Sequence, residues 1–229
     1  MMLAAQLVVL AVMGWALALL VRHWPYPSPL TRPLLPPRQR WPEAQIRGWL
    51  KDKQFHPRYL AFFDRDPERI IPVGETLLAP ADGLVTSTDC RDGIRYIVIA
   101  LSFWDMHVQR SPVAGRVAAV ERLGASYTDG EGREFAFLRE KNCPVQTRTA
   151  LDSVIGPVAV RQITSLAARR IETWVVPGAD VERGQRIGRI RLGSTVVLEV
   201  PASLPCRVRC GERVRAGESP LVAMREEGS

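Results

Sequence analysis

The sequence predicts a mostly β protein of the α+β class, folded as a compact β-barrel or sandwich with few short helices. Helix formers are confined to two short runs, residues 43–55 and 165–171. The 229 residues are enough for one good-sized domain with a hydrophobic core. Short segments rich in β-branched residues recur between glycines and prolines, as expected of strands. These segments are residues 93–102, 115–123, 156–163, 170–176 and 194–200.

The amino-terminal end, residues 1–23, predicts a transmembrane anchor. Residues 3–21 carry no charge and only one strongly polar side chain, Gln6, over a length that spans a bilayer as a helix. The positive charges that border this segment lie on its carboxy-terminal side. We therefore expect the body of the chain to face the cytoplasm at the cell membrane.

Residues 24–42 are expected to form an extended tether. Their seven prolines exclude a regular helix or a central strand. The arginines and aromatic residues of this segment suit an interface of anionic headgroups, and a solvated basic linker is the alternative. The remaining residues, 43–229, are predicted to form a single folded domain.

A weak internal repeat, Gly-x-x-Val-x-x-Gly, occurs at residues 178–184 and again at 211–217. It predicts hairpins that resemble those of biotinyl and lipoyl carrier domains. A carrier needs a lysine at an exposed turn, and no lysine follows Lys141. This absence argues against a carrier role but leaves a carrier-like β-barrel adaptor, tethered to a membrane and without catalysis, as an alternative.

The net charge of +7 comes almost wholly from arginine, since the chain has only three lysines. Such a protein suits anionic lipid, acidic small molecules or nucleic acid. No basic motif interleaved with aromatic residues is present, so we expect no nucleic-acid partner. The four cysteines read as reduced thiols. Cys206 and Cys210 lack the second pair or nearby histidine that a zinc site needs, so we expect no metal.

Three short stretches place a reactive side chain beside glycine or proline. They contain Asp82, His107 and Ser194. Taken one at a time, these residues are interpreted as a turn aspartate, a packed histidine and a serine at a β-bulge. Together they supply a hydroxyl, an imidazole base and an orienting carboxylate, the parts of an activated nucleophile. The Gly-x-Ser-x-Gly elbow of serine hydrolases is absent, which argues against that class.

Six ordered blocks make the chain resemble the phosphatidylserine decarboxylases, in particular their short form, over nearly all of residues 59–201. The order and spacing of the blocks make the resemblance specific. The blocks are FFDRDPERIIP, LLAPADGLV, ALSFWDMHVQRSPVAGRV, VIGPVAVRQI, LAARRI and GADVERGQRIGRIRLGSTVVLEVP.

The resemblance implies a self-cleaving decarboxylase that converts phosphatidylserine to phosphatidylethanolamine. Cleavage between Gly193 and Ser194 would give a β chain of residues 1–193 and an α chain of residues 194–229. The serine would become a covalent pyruvoyl group, the cofactor of the family. Asp82 and His107, carried over by motif, would activate Ser194. Gly193 offers an unhindered carbonyl to the attacking hydroxyl.

Decarboxylation beside an amine needs an electron sink joined to the substrate nitrogen, which a pyruvoyl carbonyl supplies. Pyridoxal phosphate is the alternative sink, but no lysine lies in a phosphate-binding glycine-rich setting. We therefore expect no pyridoxal phosphate. The long form of the family carries two histidines in a D-Y-H-x-x-H pattern, whereas here Arg110 takes the second place. One histidine must therefore serve both cleavage and decarboxylation, or another group substitutes.

His107 is also the candidate to protonate the carbanion or to hold the leaving carboxylate. Arg110 would pair with the lipid phosphate or carboxylate, with solvated surface charge as the alternative. Phe103, Trp104 and Met106 would line the approach of the glycerolipid, or pack in a core. The sequence leaves open a diacyl or an ether-linked serine lipid, and it is compatible with a homo-oligomer at the membrane.

Overall fold

The computed structural model describes residues 2–23, 64–101, 105–124, 144–164, 170–191 and 194–225. The chain divides into two compact units, Met1–Pro57 and Arg58–Ser229. The tether predicted at residues 24–42 and the helical run predicted at residues 43–55 lie outside the described residues.

One α-helix, α1, is described at the amino terminus and runs over Met2–His23. Its side chains are described for residues 6–18, and all of them are exposed. The prediction of a helix here is confirmed. Within the described residues, however, no helix is both long enough and apolar enough to cross a membrane. The predicted membrane-spanning anchor is therefore not supported.

The second unit is built from β-strands, which confirms the mostly β prediction. Thirteen strands are described. They are β1 (Thr76–Leu78), β2 (Gly83–Arg91), β3 (Ile94–Leu101), β4 (Val108–Arg110), β5 (Gly115–Leu123), β6 (Gln146–Ser153), β7 (Gly156–Ile163), β8 (Arg170–Thr173), β9 (Asp180–Val181), β10 (Arg186–Arg191), β11 (Ser194–Pro201), β12 (Arg213–Val214) and β13 (Pro220–Ala223).

Eight of these strands form one antiparallel sheet in the order β12-β2-β3-β11-β7-β6-β5-β9. The sheet curls into a half-barrel rather than closing into the predicted barrel or sandwich. Its centre is β11, which pairs with β3 on one side and with β7 on the other. A three-stranded sheet, β4-β10-β8, and a two-stranded sheet, β1-β13, complete the described strands.

The core lies along the central strands, where successive residues are apolar on both faces of the sheet. Ile97, Val98 and Ile99 of β3 and Val196, Val197 and Leu198 of β11 are all buried, at no more than 3% exposed. Such runs of buried β-branched and apolar residues are typical of strands covered on both sides. The core therefore fixes β11 firmly between its two neighbours.

A buried polar cluster interrupts the apolar core on the central strands. Glu199 of β11 accepts hydrogen bonds from Arg161 Nε at 2.7 Å and from Arg148 Nε at 2.9 Å. Glu199 is only 5% exposed and Arg161 only 8%. Buried charges are tolerated when they are paired in this way.

The two Gly-x-x-Val-x-x-Gly segments form the same local structure, a short strand followed by a tight turn. Gly184 and Gly217 occupy equivalent turn positions with positive φ angles of 83° and 74°. A Cβ on either glycine would contact Ile71 Cδ1, so the two turns pack against one side chain. These segments are not hairpins, and that prediction is wrong. β9 pairs with β5 and β10 with β4 and β8, while β12 pairs with β2 and β13 with β1.

Candidate active site

Ser194 is the first residue of β11, and its register partner is Leu101, the last residue of β3. Residues 192 and 193 lie outside the described residues. The bond before Ser194 therefore belongs to the segment that leaves β10 in the three-stranded sheet and enters the centre of the eight-stranded sheet. The predicted cleavage position lies where the chain passes from one sheet to the other.

His107 lies on the connection from β3 to β4, immediately before Val108. The Ile190 N–H of β10 donates to the His107 carbonyl oxygen at 3.1 Å. Ile190 precedes Ser194 by four residues, and Leu101 is the register partner of Ser194. The segment that carries His107 is thus bonded directly to β10 and is connected through β3 to β11. These are the two strands that flank the predicted cleavage position.

The His107 imidazole is held as a neutral base. Its Nδ1 lies 2.8 Å from the carbonyl oxygen of Asp105. Since a carbonyl oxygen only accepts, Nδ1 carries the proton and the lone pair lies on Nε2. The side chain is 1% exposed. Burial lowers the pKa of His107 to about 4, although the bond to Asp105 and the Asp105 charge oppose the shift.

Asp82 lies in the turn that precedes β2, and its contacts go to Arg69 and Ala216. Arg69 Nη2 donates to both carboxylate oxygens, at 3.1 and 3.0 Å. The Ala216 N–H donates to Oδ1 at 2.7 Å. Burial raises the pKa of the Asp82 carboxyl, although the Ala216 and Arg69 hydrogen bonds oppose the shift.

That the Asp82 carboxylate orients His107 stays a prediction, and the described contacts relate the two residues through Asp105. The Asp105 carbonyl accepts from His107, whereas the Asp105 charge raises the pKa of Asp82. In the sheet, β3 separates β2 from β11. The main chain at Asp82 therefore lies about two strand spacings, or about 10 Å, from the start of β11.

The turn that carries Asp82 nevertheless packs against the strand that follows His107. The Arg110 N–H donates to the Pro80 carbonyl at 2.9 Å. The structure thus brings the Asp82 turn, the His107 segment and the start of β11 into one region. The neutral imidazole of His107 belongs to this region.

Arg110, predicted to contact lipid, is bonded within the protein. Its guanidinium donates to Asp66 Oδ1 at 2.7 Å and to the Gly184 carbonyl at 3.1 Å. Arg110 is only 6% exposed. These contacts give it a structural role in joining residues 64–72 to the turn at Gly184, and its predicted contact with a lipid anion receives no support from them.

The aromatic residues predicted to line the lipid approach, Phe103 and Trp104, lie outside the described residues. Met106 is half-buried, next to His107. No group of three or more His, Cys, Asp or Glu side chains is placed to hold a metal ion in the part of the chain that the structure describes. Cys90, Cys206 and Cys210 are free thiols.

Sequence reasoning missed the cationic partner of Asp82. Arg69 belongs to the FFDRDPERIIP block, whose alternating acids and arginines signal ion pairing. Asp64 pairs with Arg189 at 2.5 Å, and Asp66 pairs with both Arg110 and Arg186. This segment is therefore fixed to β4 and β10 by charge pairs, which places Arg69 beside Asp82.

The sequence model of the phosphatidylserine decarboxylase family matches residues 58–222. The chain belongs to this family. The match begins at the first residue of the second compact unit. A phosphatidylserine decarboxylase family domain thus accounts for nearly all of the β-rich unit described above, and the resemblance found in the sequence is confirmed.

Curated relatives of the family agree over most of the chain. A protein of Archaeoglobus fulgidus, named a putative archaetidylserine decarboxylase proenzyme, is 39% identical over 170 residues, covering 74% of this chain and 79% of the relative. A phosphatidylserine decarboxylase proenzyme of Thermobifida fusca is 36% identical over 163 residues, covering 71% and 72%. One of Desulfotalea psychrophila is 34% identical over 171 residues, covering 71% and 78%.

Proposed function

We propose that this protein is a pyruvoyl-dependent phosphatidylserine decarboxylase, which releases CO2 from the serine headgroup to form phosphatidylethanolamine. One observation supports the assignment of catalytic roles to His107 and Ser194. The main-chain carbonyl of His107, whose imidazole is buried and neutral, accepts from the Ile190 N–H of the strand that leads to Ser194. Membership of the family supplies the reaction class.

The cleavage step requires a base near Ser194, and His107 fits this role. Its Nε2 lone pair would take the proton of the serine hydroxyl as the oxygen attacks the Gly193 carbonyl. The amide thereby becomes an ester. Loss of the Ser194 α-hydrogen then expels the Gly193 carboxylate, and addition of water with release of ammonia leaves a ketone at the new amino terminus.

The residues present fit a pyruvoyl group, because a serine opens the central strand and the strand that precedes it, β10, is bonded to the main chain of His107. When formed, the pyruvoyl carbonyl supplies the electron sink for loss of CO2. His107 would deliver a proton to the substrate carbon that loses its carboxylate.

An ether-linked serine lipid is a second candidate substrate. The relatives from Archaeoglobus fulgidus and Methanosarcina barkeri are named putative archaetidylserine decarboxylase proenzymes, at 39% and 34% identity. Both candidate lipids share a phosphoserine headgroup and differ in their hydrocarbon linkage. The headgroup chemistry proposed here is the same for either lipid.

We further propose that the enzyme acts at the cytoplasmic face of the cell membrane. The support is chemical, since the headgroup of a bilayer lipid must be met at the membrane surface. The arginines of residues 24–42 favour an anionic surface. Sedimentation with vesicles containing anionic lipid, compared with neutral vesicles and with a variant lacking these arginines, tests this placement.

The decisive experiment compares the purified wild-type chain with Ser194→Ala. On denaturing gels the wild-type chain should give fragments of residues 1–193 and 194–229, while Ser194→Ala should remain one band. Mass spectrometry should find a carboxy-terminal fragment without an amino-terminal amine. CO2 release should then be measured with diacyl and with ether-linked serine lipids.

The opposing hypothesis is a membrane-tethered carrier-like β-barrel adaptor without catalysis. It predicts an uncut wild-type chain and no CO2 from either lipid. It also predicts no loss of function when His107 becomes alanine. An uncut chain that still released CO2 would refute the pyruvoyl mechanism while leaving a decarboxylase.

A further inference from the structure

Two buried glutamines form a hydrogen-bonded chain that ends on the main chain of His107. Gln109 Nε2 donates to the His107 carbonyl at 3.0 Å, and Gln162 Nε2 donates to Gln109 Oε1 at 2.8 Å. Gln109 is 0% exposed and Gln162 is 1% exposed. Because the His107 carbonyl only accepts, it fixes the orientation of the Gln109 amide, which in turn fixes that of Gln162.

This chain of bonds connects the two sheets that meet at the active site. Gln109 belongs to β4 of the three-stranded sheet, opposite Gly188 of β10. Gln162 belongs to β7 of the eight-stranded sheet, opposite Val196, two residues beyond Ser194. The Gln109–Gln162 bond therefore joins β4, which follows His107, to β7, the neighbour of the strand that Ser194 begins.

The Gln162 amide lies close to Gly188, where a larger residue would crowd it. A Cβ on Gly188 would lie 3.1 Å from Gln162 Nε2 and 2.3 Å from the Glu172 carbonyl oxygen. Gln162 Oε1 is buried and has no hydrogen-bond partner among the described residues. An unsatisfied buried carbonyl lowers stability, so the glutamine is not explained by stability alone.

We propose that Gln109 and Gln162 are positioning residues that hold His107 in register with the amino-terminal end of β11. This proposal rests on the proposed function, since it gives a role to the cleaved terminus. Before cleavage, the peptide from β10 to β11 also restrains these two strands. After cleavage this connection is lost, whereas the Gln109–Gln162 bond is not cut. The glutamines therefore matter more for decarboxylation than for self-cleavage.

The test uses the full chain and three methionine variants, which keep side-chain length and remove the amide. Gln162→Met breaks the bond between the sheets, and Gln109→Met breaks both bonds. Gln146→Met is the matched control, because Gln146 is also 0% exposed and lies on the neighbouring strand. Its amide oxygen accepts from Arg161 instead, and Arg161 projects from the sheet face opposite that of Gln162.

Self-cleavage should be followed on gels, and kcat and KM for CO2 release should be measured on the cleaved fraction. We expect Gln162→Met and Gln109→Met to lower kcat by about tenfold to a hundredfold, the scale of a small misplacement of a catalytic group. KM should stay near the wild-type value, and the rate of cleavage should fall much less than kcat. Gln146→Met should keep the wild-type kcat.

The double variant, Gln109→Met with Gln162→Met, should be no slower than Gln109→Met alone, because the two bonds act in series. If a methionine variant fails to fold, Gln109→Leu serves in its place. It removes both the acceptor for Gln162 and the donor to His107 without burying a charge, so the same fall in kcat is expected.

Equal losses of cleavage and kcat, or a kcat for Gln162→Met equal to that of Gln146→Met, would overturn the positioning role. Neither result affects the proposed function if the wild-type chain is cleaved and releases CO2. A wild-type chain that is neither cleaved nor active removes the proposed function itself. The two failures are therefore distinguishable in one experiment.

Discussion

Arg69 donates from a single nitrogen, Nη2, to both carboxylate oxygens of Asp82, at 3.1 and 3.0 Å. The same carboxylate accepts from the Ala216 N–H at 2.7 Å. Three parts of the chain therefore meet at Asp82: the segment that precedes β1, the turn before β2 and the turn that follows β12. The carboxylate predicted as catalytic is also a structural junction.

Removing the partner of Asp82 should destabilise the fold. The Arg69 side chain is 6% exposed and that of Asp82 is 13% exposed. Arg69→Met leaves a buried carboxylate without its cation, which we expect to lower the free energy of unfolding by about 3–5 kcal/mol at pH 7. Urea unfolding in a Ser194→Ala background, where the chain stays whole, measures this loss.

The control for this variant is Arg225→Met, because Arg225 pairs with Glu75 at 3.3 Å while 79% exposed. An exposed pair contributes less than about 1 kcal/mol. Similar losses in the two variants would contradict the view that burial makes the Arg69–Asp82 pair important.

The buried neutral His107 should make stability depend on pH. Its pKa falls from the ordinary 6.5 to about 4 in the folded chain, so the unfolded chain binds a proton first as the pH is lowered. Stability from this group is fully present above about pH 6.5 and is lost as the pH falls through about 4. The shift in the pKa of His107 corresponds to about 3 kcal/mol in the free energy of unfolding.

Urea unfolding of Ser194→Ala at several pH values tests this dependence, with Ser194→Ala plus His107→Gln as the reference. The difference between the two curves isolates His107 from the other titrating groups, including Asp82. A difference that does not change between pH 7 and pH 4 would show that the imidazole is not buried in its neutral form.

Glu199 should be important for stability although it lies away from the predicted catalytic residues. Glu199→Ala removes the carboxylate that pairs with the buried Arg161, and we expect a loss of about 3–5 kcal/mol in the free energy of unfolding. Glu121→Ala is the matched control, because the Glu121 side chain is 48% exposed and contacts only the rim of the same cluster through Arg148. That variant should lose less than about 1 kcal/mol. Thermal or urea unfolding measures both losses. A loss for Glu121→Ala as large as that for Glu199→Ala would contradict this prediction.

Gly83, next to Asp82, should not accept a side chain. A Cβ there would lie 2.4 Å from the Ala100 carbonyl oxygen, a backbone atom of the neighbouring strand. Gly83→Ala must therefore separate β2 from β3 and should reduce both soluble yield and self-cleavage. Gly93→Ala has a positive φ of 75° but open space around the new Cβ, so it should cost only about 1–2 kcal/mol. Equal behaviour of the two variants on gels and in unfolding would contradict the packing described here.

Several strands could be read from the sequence because their ends are marked locally. β5 and β7 begin at Gly115 and Gly156 and contain runs of valine and alanine. β6 was not predicted, because Gln146, Thr147 and Arg148 give it a polar start whose burial depends on distant partners. Arg170 and Ile171 were assigned to a helical run as well as to a strand, and pairing with β10 makes them part of β8.

The site was predictable where chemistry is carried by a single side chain in a recognisable block. Ser194 and His107 were predicted in this way, and their catalytic roles stay predictions. Gln109, Gln162 and Arg69 were not, because their importance depends on hydrogen bonds between residues far apart in the chain. The role of Asp105 also escaped prediction, since its carbonyl oxygen, present in every residue, makes the contact to His107.

The piece of chain that begins at Ser194 contributes strands to three places, since β11 lies between β3 and β7, β12 lies against β2 and β13 lies against β1. A fragment interwoven to this extent leaves its partner only when the whole fold is lost. If the chain is cleaved before Ser194 as proposed, molecules mixed after cleavage would therefore not exchange fragments, and each would keep the amino terminus formed from its own Ser194.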